Sequence, residues 1–183
     1  MTDDFSIDRT RDRAEIQHRI HQFCRAVDRL QFDHLRDVYH AGATHDHGIY
    51  KGDVPGWIEF TRKRHETIQY SSHHVSNILI DFVDADNAAV ETYYIVWQSV
   101  TAQASMFPAE SDDISDYEVV SSGRYVDHFV RADDRWAIMT RTVVPGSAMK
   151  VADPAPAMVP GFARQTRDGD DPVWALRARL GVV

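Results

Sequence analysis

The feature that most constrains this chain is a change of hydrophobic period near residue 70. Upstream, from Arg9 to Leu30, the apolar positions are Ile16, Ile20, Phe23, Val27 and Leu30. That spacing predicts a helix with one stripe turned to a core. Phe32–Ala41 predicts a second short helix with Leu35, Val38 and Tyr39 inward, ended by Gly42. Ala43–Tyr50 predicts a short strand closed by a turn at Lys51-Gly52-Asp53. Val54–Ile68 returns to helical spacing, with Pro55 near its start, where a missing N–H is harmless.

Downstream the period becomes two. Ser72–Val83 alternates, Asp84–Asn87 is a turn, and Ala88–Thr101 is a long strand rich in aromatics. Gln103–Ser115 reads as a loop. Tyr117–Val130 and Arg135–Val144 read as two strands around Ala132-Asp133-Asp134. Prolines from Pro145 to Pro160 break the pattern and predict an extended arm, followed by a short helix over Asp171–Leu180. Three helices and then a four-stranded meander give an α+β architecture. Long twisted strands curl, and helices closing the concave side leave a cone with one mouth for a small molecule. The expected organisation is one domain over residues 1–145 and an extension over residues 146–183 that packs on the cone or on a neighbouring subunit.

The formal net charge is −8 with no basic cluster, which argues against nucleic-acid or anionic-membrane partners. No apolar run reaches the ~18 residues of a spanning helix, and the first residues show no secretory apolar region. Cys24 is the lone cysteine, so an internal disulfide is excluded, and a cytoplasmic setting is the expectation.

The stretch Tyr70–Val83, YSSHHVSNILIDFV, carries the chemistry. His73 and His74 stand at the mouth of a strand, and their side chains point to opposite faces. A bulge in that strand would exchange their roles. Asp28 lies at the margin of the first helical stripe, near the core but not forced into it. A neutral histidine held in one tautomer by a carboxylate is a general base suited to neutral pH. The plain alternatives are a polar His73 with no chemistry and an Asp28 paired with Arg25 or Arg29. His45 and His47 would share one face, a spacing that suits two metal ligands, but no third ligand is evident, so no metal is expected. Tyr39, His47, Trp57, Tyr93 and Trp97 are candidates for the pocket wall.

Four segments carry a family resemblance: AEIQHRIHQFCRAVDRL (Ala14–Leu30), HDHGIYKG (His45–Gly52), HHVSNILID (His73–Asp81) and GRYVDHFVRADDRWAIMTRTVV (Gly123–Val144). They resemble the SnoaL-like branch of the NTF2-like superfamily, whose members include scytalone dehydratase, bile-acid 7α-dehydratase, the lindane dehydrochlorinase, ketosteroid isomerases, polyketide cyclases and small subunits of ring-hydroxylating dioxygenases. The resemblance spans most of the chain and implies an NTF2-like cone. It implies that Asp28, in the motif V-D-R, pairs with His73, four residues before Asn77. It also implies that Arg141, late in the last strand, binds a departing anion or an oxyanion. Arg141 could equally pair with Asp127 or Glu118 across the sheet. A counterpart to the dehydratase tyrosine pair is not evident, with Tyr39, Tyr93 and Tyr94 matching by residue type alone.

The resulting expectation is a cofactor-independent lyase, dehydratase-like or retro-aldol-type, acting on a hydrophobic cyclic or aromatic substrate. The rival within acid–base chemistry is an isomerase or cyclase. The rival outside it is a non-catalytic dioxygenase small subunit. A homo-oligomer is expected, a trimer ahead of a dimer.

Overall fold

The computed structural model describes residues 6–101, 116–151, 160–163 and 165–182. Helix α1 spans Ile7–Asp28, and the Ser6 side chain caps it by accepting from the Arg9 backbone N–H. Its inward stripe follows the expected one through Ile16, Ile20, Phe23 and Val27, all buried, but Leu30, expected on the same stripe, lies past the helix end with φ +56° and is exposed. Polar groups fix its first half. Arg9 bonds Asp12 and the Asp84 carbonyl, and the Trp136 indole donates to Asp12. Because these anchors are far apart in sequence, α1 cannot slide along the sheet, and the position of its last residue, Asp28, is set.

The second predicted helix is shorter than expected. A 3₁₀ turn covers Phe32–Asp37, and strand β1 then runs Tyr39–Asp46. The reason is tertiary: β1 finds a parallel partner in the last long strand, and pairing overrides the weak helical preference of residues 38–41. Gly42 is therefore not a helix stop. Its φ of +78° sits within β1, where the register shifts between Tyr39 and Thr44. The turn expected at Lys51–Asp53 lies earlier, over residues 47–50, closed by His47 N–H donating to the Tyr50 carbonyl at 2.7 Å. Lys51–Asp53 is itself strand β2, antiparallel to β1. Helix α2 (Val54–Arg64) starts from Asp53, whose side chain accepts from Gly56 N–H.

Strands β3 (Ile68–Phe82), β4 (Asn87–Val100), β5 (Tyr117–Ala132) and β6 (Arg135–Val151) form the meander. The expected four strands become a curved, unclosed mixed sheet of six, in the order β2-β1-β6-β5-β4-β3. Strand β6 runs through Pro145 rather than breaking there. Pro145 faces Gly123 where β5 shifts register, a place where a missing N–H and a missing side chain are tolerated together. The boundary expected at residue 145 thus falls inside a strand. Residues 103–115, read as a loop, lie outside the described residues, and so do residues 152–159 of the proline-rich arm. Helix α3 (Pro172–Leu180) begins from Asp171, whose carboxylate accepts from Val173 N–H.

A bulge in β3 decides which side chains face the concave side. Ser71, His73 and Val75 turn inward at odd positions, then Ile78, Ile80 and Phe82 at even ones. The switch falls at Asn77, which has φ +45° and sits at a register shift against β4. Asn is among the few residues that tolerate this left-handed conformation. Strand β4 has no bulge. Its even positions, from Ala88 to Val100, face the core, and its odd positions face outward.

Candidate active site

Asp28 is the last residue of α1, at the negative end of the helix dipole, where an acid is poorly placed. Donors offset this. His73 Nδ1 lies 2.6 Å from Asp28 Oδ1. The His73 backbone N–H donates to Oδ2 at 2.8 Å, and Ser71 Oγ donates to Oδ1 at 2.8 Å. Gln98, opposite Ser71 in the β3–β4 ladder, donates to Ser71 Oγ at 3.4 Å. Burial works to raise the Asp28 pKa. The hydrogen bonds and charge of His73, with the Ser71 hydroxyl, outweigh it and hold the carboxyl below its usual range.

An ionised carboxylate can only accept, so His73 Nδ1 carries a proton. The neutral ring then keeps its lone pair on Nε2, the nitrogen a base needs free. His74 is exposed on the other face and contacts Ser72. The extra residue at Asn77 sets the phase of the upper half of β3 relative to Ile78, Ile80 and Phe82, and in that phase His73 is the inward histidine. Asp28, His73, Cys24, Val75, Gln165 and Val173 are among the residues that line an open cleft of about 460 Å³. Its wall therefore includes the C-terminal segment.

A second polar group lies within the aromatic core. Arg141 is fully buried and makes a bidentate pair with Asp127, at 2.7 and 2.6 Å. Its guanidinium lies 4.1 Å from the Phe23 ring centre and 4.2 Å from that of Tyr125. Tyr39 OH and His45 Nδ1 are 3.0 Å apart, and the His45 and Trp57 rings stack at 4.1 Å. Phe23 lies 5.6 Å from Trp57, its ring tilted 23° from the indole plane. Among the described residues, Arg141 Nη1, His45 Nε2 and Trp57 Nε1 are buried without hydrogen-bond partners. Unsatisfied polar atoms of this kind call for an explanation, because each is costly without a partner.

The residues expected in the site thus divide. Asp28 and His73 are brought into contact. Tyr39, Trp57 and Arg141 gather around Phe23, and His47 stacks on His45 at 5.7 Å. Of the partners weighed for Arg141, the structure has Asp127. Tyr93 and Trp97 occupy odd positions of β4 and stand on the outer face, each 43% exposed, so they do not meet the others. Tyr94 takes the inward place and stacks on Tyr125 at 4.6 Å. Sequence reasoning missed Ser71, Gln98 and the C-terminal contacts. Ser71 was legible, since it shares the parity of His73. Gln98 and the C-terminal contacts carry no local signal.

Burial and nearby cations push three histidines down: His45 to about 2, His65 to about 3 and His47 to about 4. Burial is the largest cause in each, with Arg141 acting on His45, Arg167 on His65 and Arg64 on His47. Once unfolded, each takes up a proton near pH 6.5. Below that pH the unfolded state binds more protons, so stability is full above about 6.5 and falls as the pH drops. Each residue removes at most about 1.4 kcal/mol per pH unit. Denaturant midpoints should therefore begin to fall between pH 7 and 5, well before carboxylates titrate. His65→Gln should flatten the slope. Unchanged midpoints over that range would contradict this account.

Among the described residues there is no cluster of three or more His, Cys, Asp or Glu that could hold a metal ion, and no helix is long and apolar enough to cross a membrane.

The profile of the SnoaL-like domain matches residues 8–142. No curated protein sequence matches the chain. Among solved structures, the chain is similar to hexachlorocyclohexane dehydrochlorinase LinA-type3 from Novosphingobium barchaimii LL02. The two are 18% identical with a TM-score of 0.68, covering 84% of this chain and 98% of that one. It is also similar to a candidate scytalone dehydratase from Novosphingobium aromaticivorans DSM 12444, at 16% identity and TM-score 0.63, covering 85% and 97%. A third is the Kfla4162 protein from Kribbella flavida, at 16% identity and TM-score 0.63, covering 76% and 94%. At these identities the likeness establishes a shared fold, the α+β cone of NTF2-like proteins.

Proposed function

From the premise that this chain belongs to the SnoaL-like domain family, we propose that it is a cofactor-independent lyase acting on a hydrophobic cyclic or aromatic substrate. The observation that carries the reading is the 2.6 Å contact between His73 Nδ1 and Asp28 Oδ1. In the proposed step His73 Nε2 takes a proton from a carbon next to the leaving group. The C–H electrons form the new double bond, and the leaving group departs with its own electron pair. Asp28 stabilises the imidazolium, which then returns its proton to the leaving group or to water. In the retro-aldol variant the same nitrogen takes a hydroxyl proton, and a carbon–carbon bond breaks to release a small carbonyl fragment.

The unpartnered nitrogens of Arg141, His45 and Trp57 support a substrate that presents an acceptor to the aromatic interior. A halide, a hydroxide or a carbonyl oxygen fits this description. The names of the structural relatives, a dehydrochlorinase and a candidate dehydratase, point to the same class of elimination. The test is to incubate the protein in D₂O with halogenated cyclohexanes, hydroxylated bicyclic aromatics and aromatic diols bearing a side chain. Elimination products, or deuterium exchanged into the acidic C–H position, are expected without added cofactor. Neither signal from any panel member would count against the lyase.

We further propose self-association through the outer face of the sheet, as a trimer. Tyr93, Ile95, Trp97, Val126 and Met149 are exposed, and all come from the three adjacent strands β4, β5 and β6. An apolar face of this kind is typical of an interaction surface. Sedimentation velocity should give a trimer, and Ile95→Lys should give monomer. A wild-type monomer at micromolar concentration would refute it.

A further inference from the structure

Arg167 lies beyond the stretch matched by the SnoaL-like profile. Its guanidinium makes three contacts: Nε donates to the Asp28 carbonyl at 2.9 Å, Nη1 donates to the Ile68 carbonyl at 2.7 Å, and Nη2 lies 2.9 Å from His65 Nδ1. Asp28 closes α1 and Ile68 opens β3. One planar group therefore ties together the ends of the two elements that carry the acid and the imidazole. Arginine suits this task, since its fork of donors is rigid and its charge complements the carbonyl end of a helix. An arginine can only donate, so His65 Nδ1 must be the acceptor.

Arg167 is itself held in place. Thr166 N–H donates to Asp171, Asp171 pairs with Arg29 at 3.1 Å, and Trp174 lies beside the Arg25 and Arg29 guanidinium groups. Its neighbours Gln165 and Val173 line the same cleft as Asp28 and His73.

We infer that Arg167 is a positioning residue for the His73–Asp28 pair, and that the C-terminal segment is a working part of the site rather than an appendage. Arg167 sets the gap between the last turn of α1 and the first residues of β3. That gap fixes the length and direction of the bond between the Asp28 carboxylate and the His73 ring. The catalytic consequence rests on the lyase reading. The geometric claim does not.

The test reads the ring directly. Full-length protein with ¹⁵N-histidine should show a downfield Nδ1–H signal, assigned by its loss in His73→Ala. Arg167→Gln should speed exchange of that proton with solvent by about tenfold or more, because the bond opens more often. Arg167→Lys, which keeps the charge but not the fork, should fall between. Asp171→Asn loosens the α3 cap and the Arg29 pair while leaving the guanidinium and its three acceptors, and should speed exchange by clearly less than Arg167→Gln does. Unchanged exchange in both Arg167 variants would overturn the inference. So would an equal effect from Asp171→Asn, which would mean that any loosening of the segment suffices. Should Arg167→Gln not fold, Arg167→Lys decides alone. With a turned-over substrate in hand, Arg167→Gln should lower kcat and leave KM nearly unchanged. The expected exchange pattern in a protein that turns over no substrate would sink the lyase and leave the positioning role standing.

Discussion

Asp28→Asn is expected to lower turnover by about two to four powers of ten, the range associated with a positioned base, while the protein stays folded. The carboxylate accepts on both oxygens: Oδ1 takes Ser71 Oγ and the His73 ring, and Oδ2 takes the His73 backbone N–H. An amide offers one acceptor and one donor. If its oxygen keeps the Oδ1 place, its NH₂ meets the backbone N–H of His73, donor against donor. If it flips, its NH₂ meets the ring, and the proton must move to Nε2. That second tautomer cannot act as the base. In either orientation no negative charge remains to stabilise an imidazolium. His73→Ala should be at least as damaging. The clash in Asp28→Asn should cost about 1–3 kcal/mol of stability, as for other buried unsatisfied groups. Steady-state rates give the first result, and ¹⁵N shifts of His73 report which tautomer is present. Full activity in Asp28→Asn would end the case for the pair.

The largest expected loss of stability belongs to Arg141→Met, at about 3–5 kcal/mol, because it strips a buried carboxylate of its partner. Asp127 is fully buried, and burial already raises its pKa despite the attraction of Arg141. Without the guanidinium it has two courses, both costly: staying charged in the core, or taking up a proton and losing both bonds. The mutation also removes a planar group packed against both Phe23 and Tyr125. The double variant Arg141→Met/Asp127→Leu should recover much of the loss, since neither charge is then stranded. Urea denaturation of the two single variants and the double variant measures this. A single variant as stable as wild type would mean that the pair is not the anchor its geometry indicates. Activity in the double variant separates the two roles of Arg141. A folded but inactive double variant supports a substrate contact, whereas a folded and active one makes the arginine purely structural.

How much of this could be read from the residues alone depended on the range of the forces involved. The helical stripe of α1 as far as Val27 and the alternation of β4 are local patterns, and both appear where the sequence put them. The pairing of Asp28 with His73 was reached through family resemblance, not spacing, because nothing local brings a helix end to a strand start. The stretch from Phe32 to Asp53 was misread in detail. Its course is decided by β1 lying parallel to β6, a contact between distant parts of the chain. Pro145 reads as a break because a proline usually is one, and the register shift at Ser122–Gly123 opposite it, through which β6 continues, is invisible locally. Residue type alone places Tyr93 and Trp97 on the pocket wall. The parity of β4 turns them outward and puts Tyr94, the residue between such neighbours, inside. Arg167 lies in a stretch with no period at all, so its three contacts could only be found in space.

The dislocation at Asn77 makes β3 two short strands joined out of phase, and that bears on how easily such a cup could change its chemistry. With the lower half anchored by Ile78, Ile80 and Phe82, straightening that joint so that Asn77 enters the ladder would slip the upper half by one residue against β4 and turn it by half a period. His74 would swing to the inside and His73 to the outside. Because the two imidazoles are adjacent, the mouth would still hold one after such a slip, aimed from a different height and no longer opposite the same acid. The joint thus lets the basic group be re-aimed while the greasy layer beneath it stays where it is.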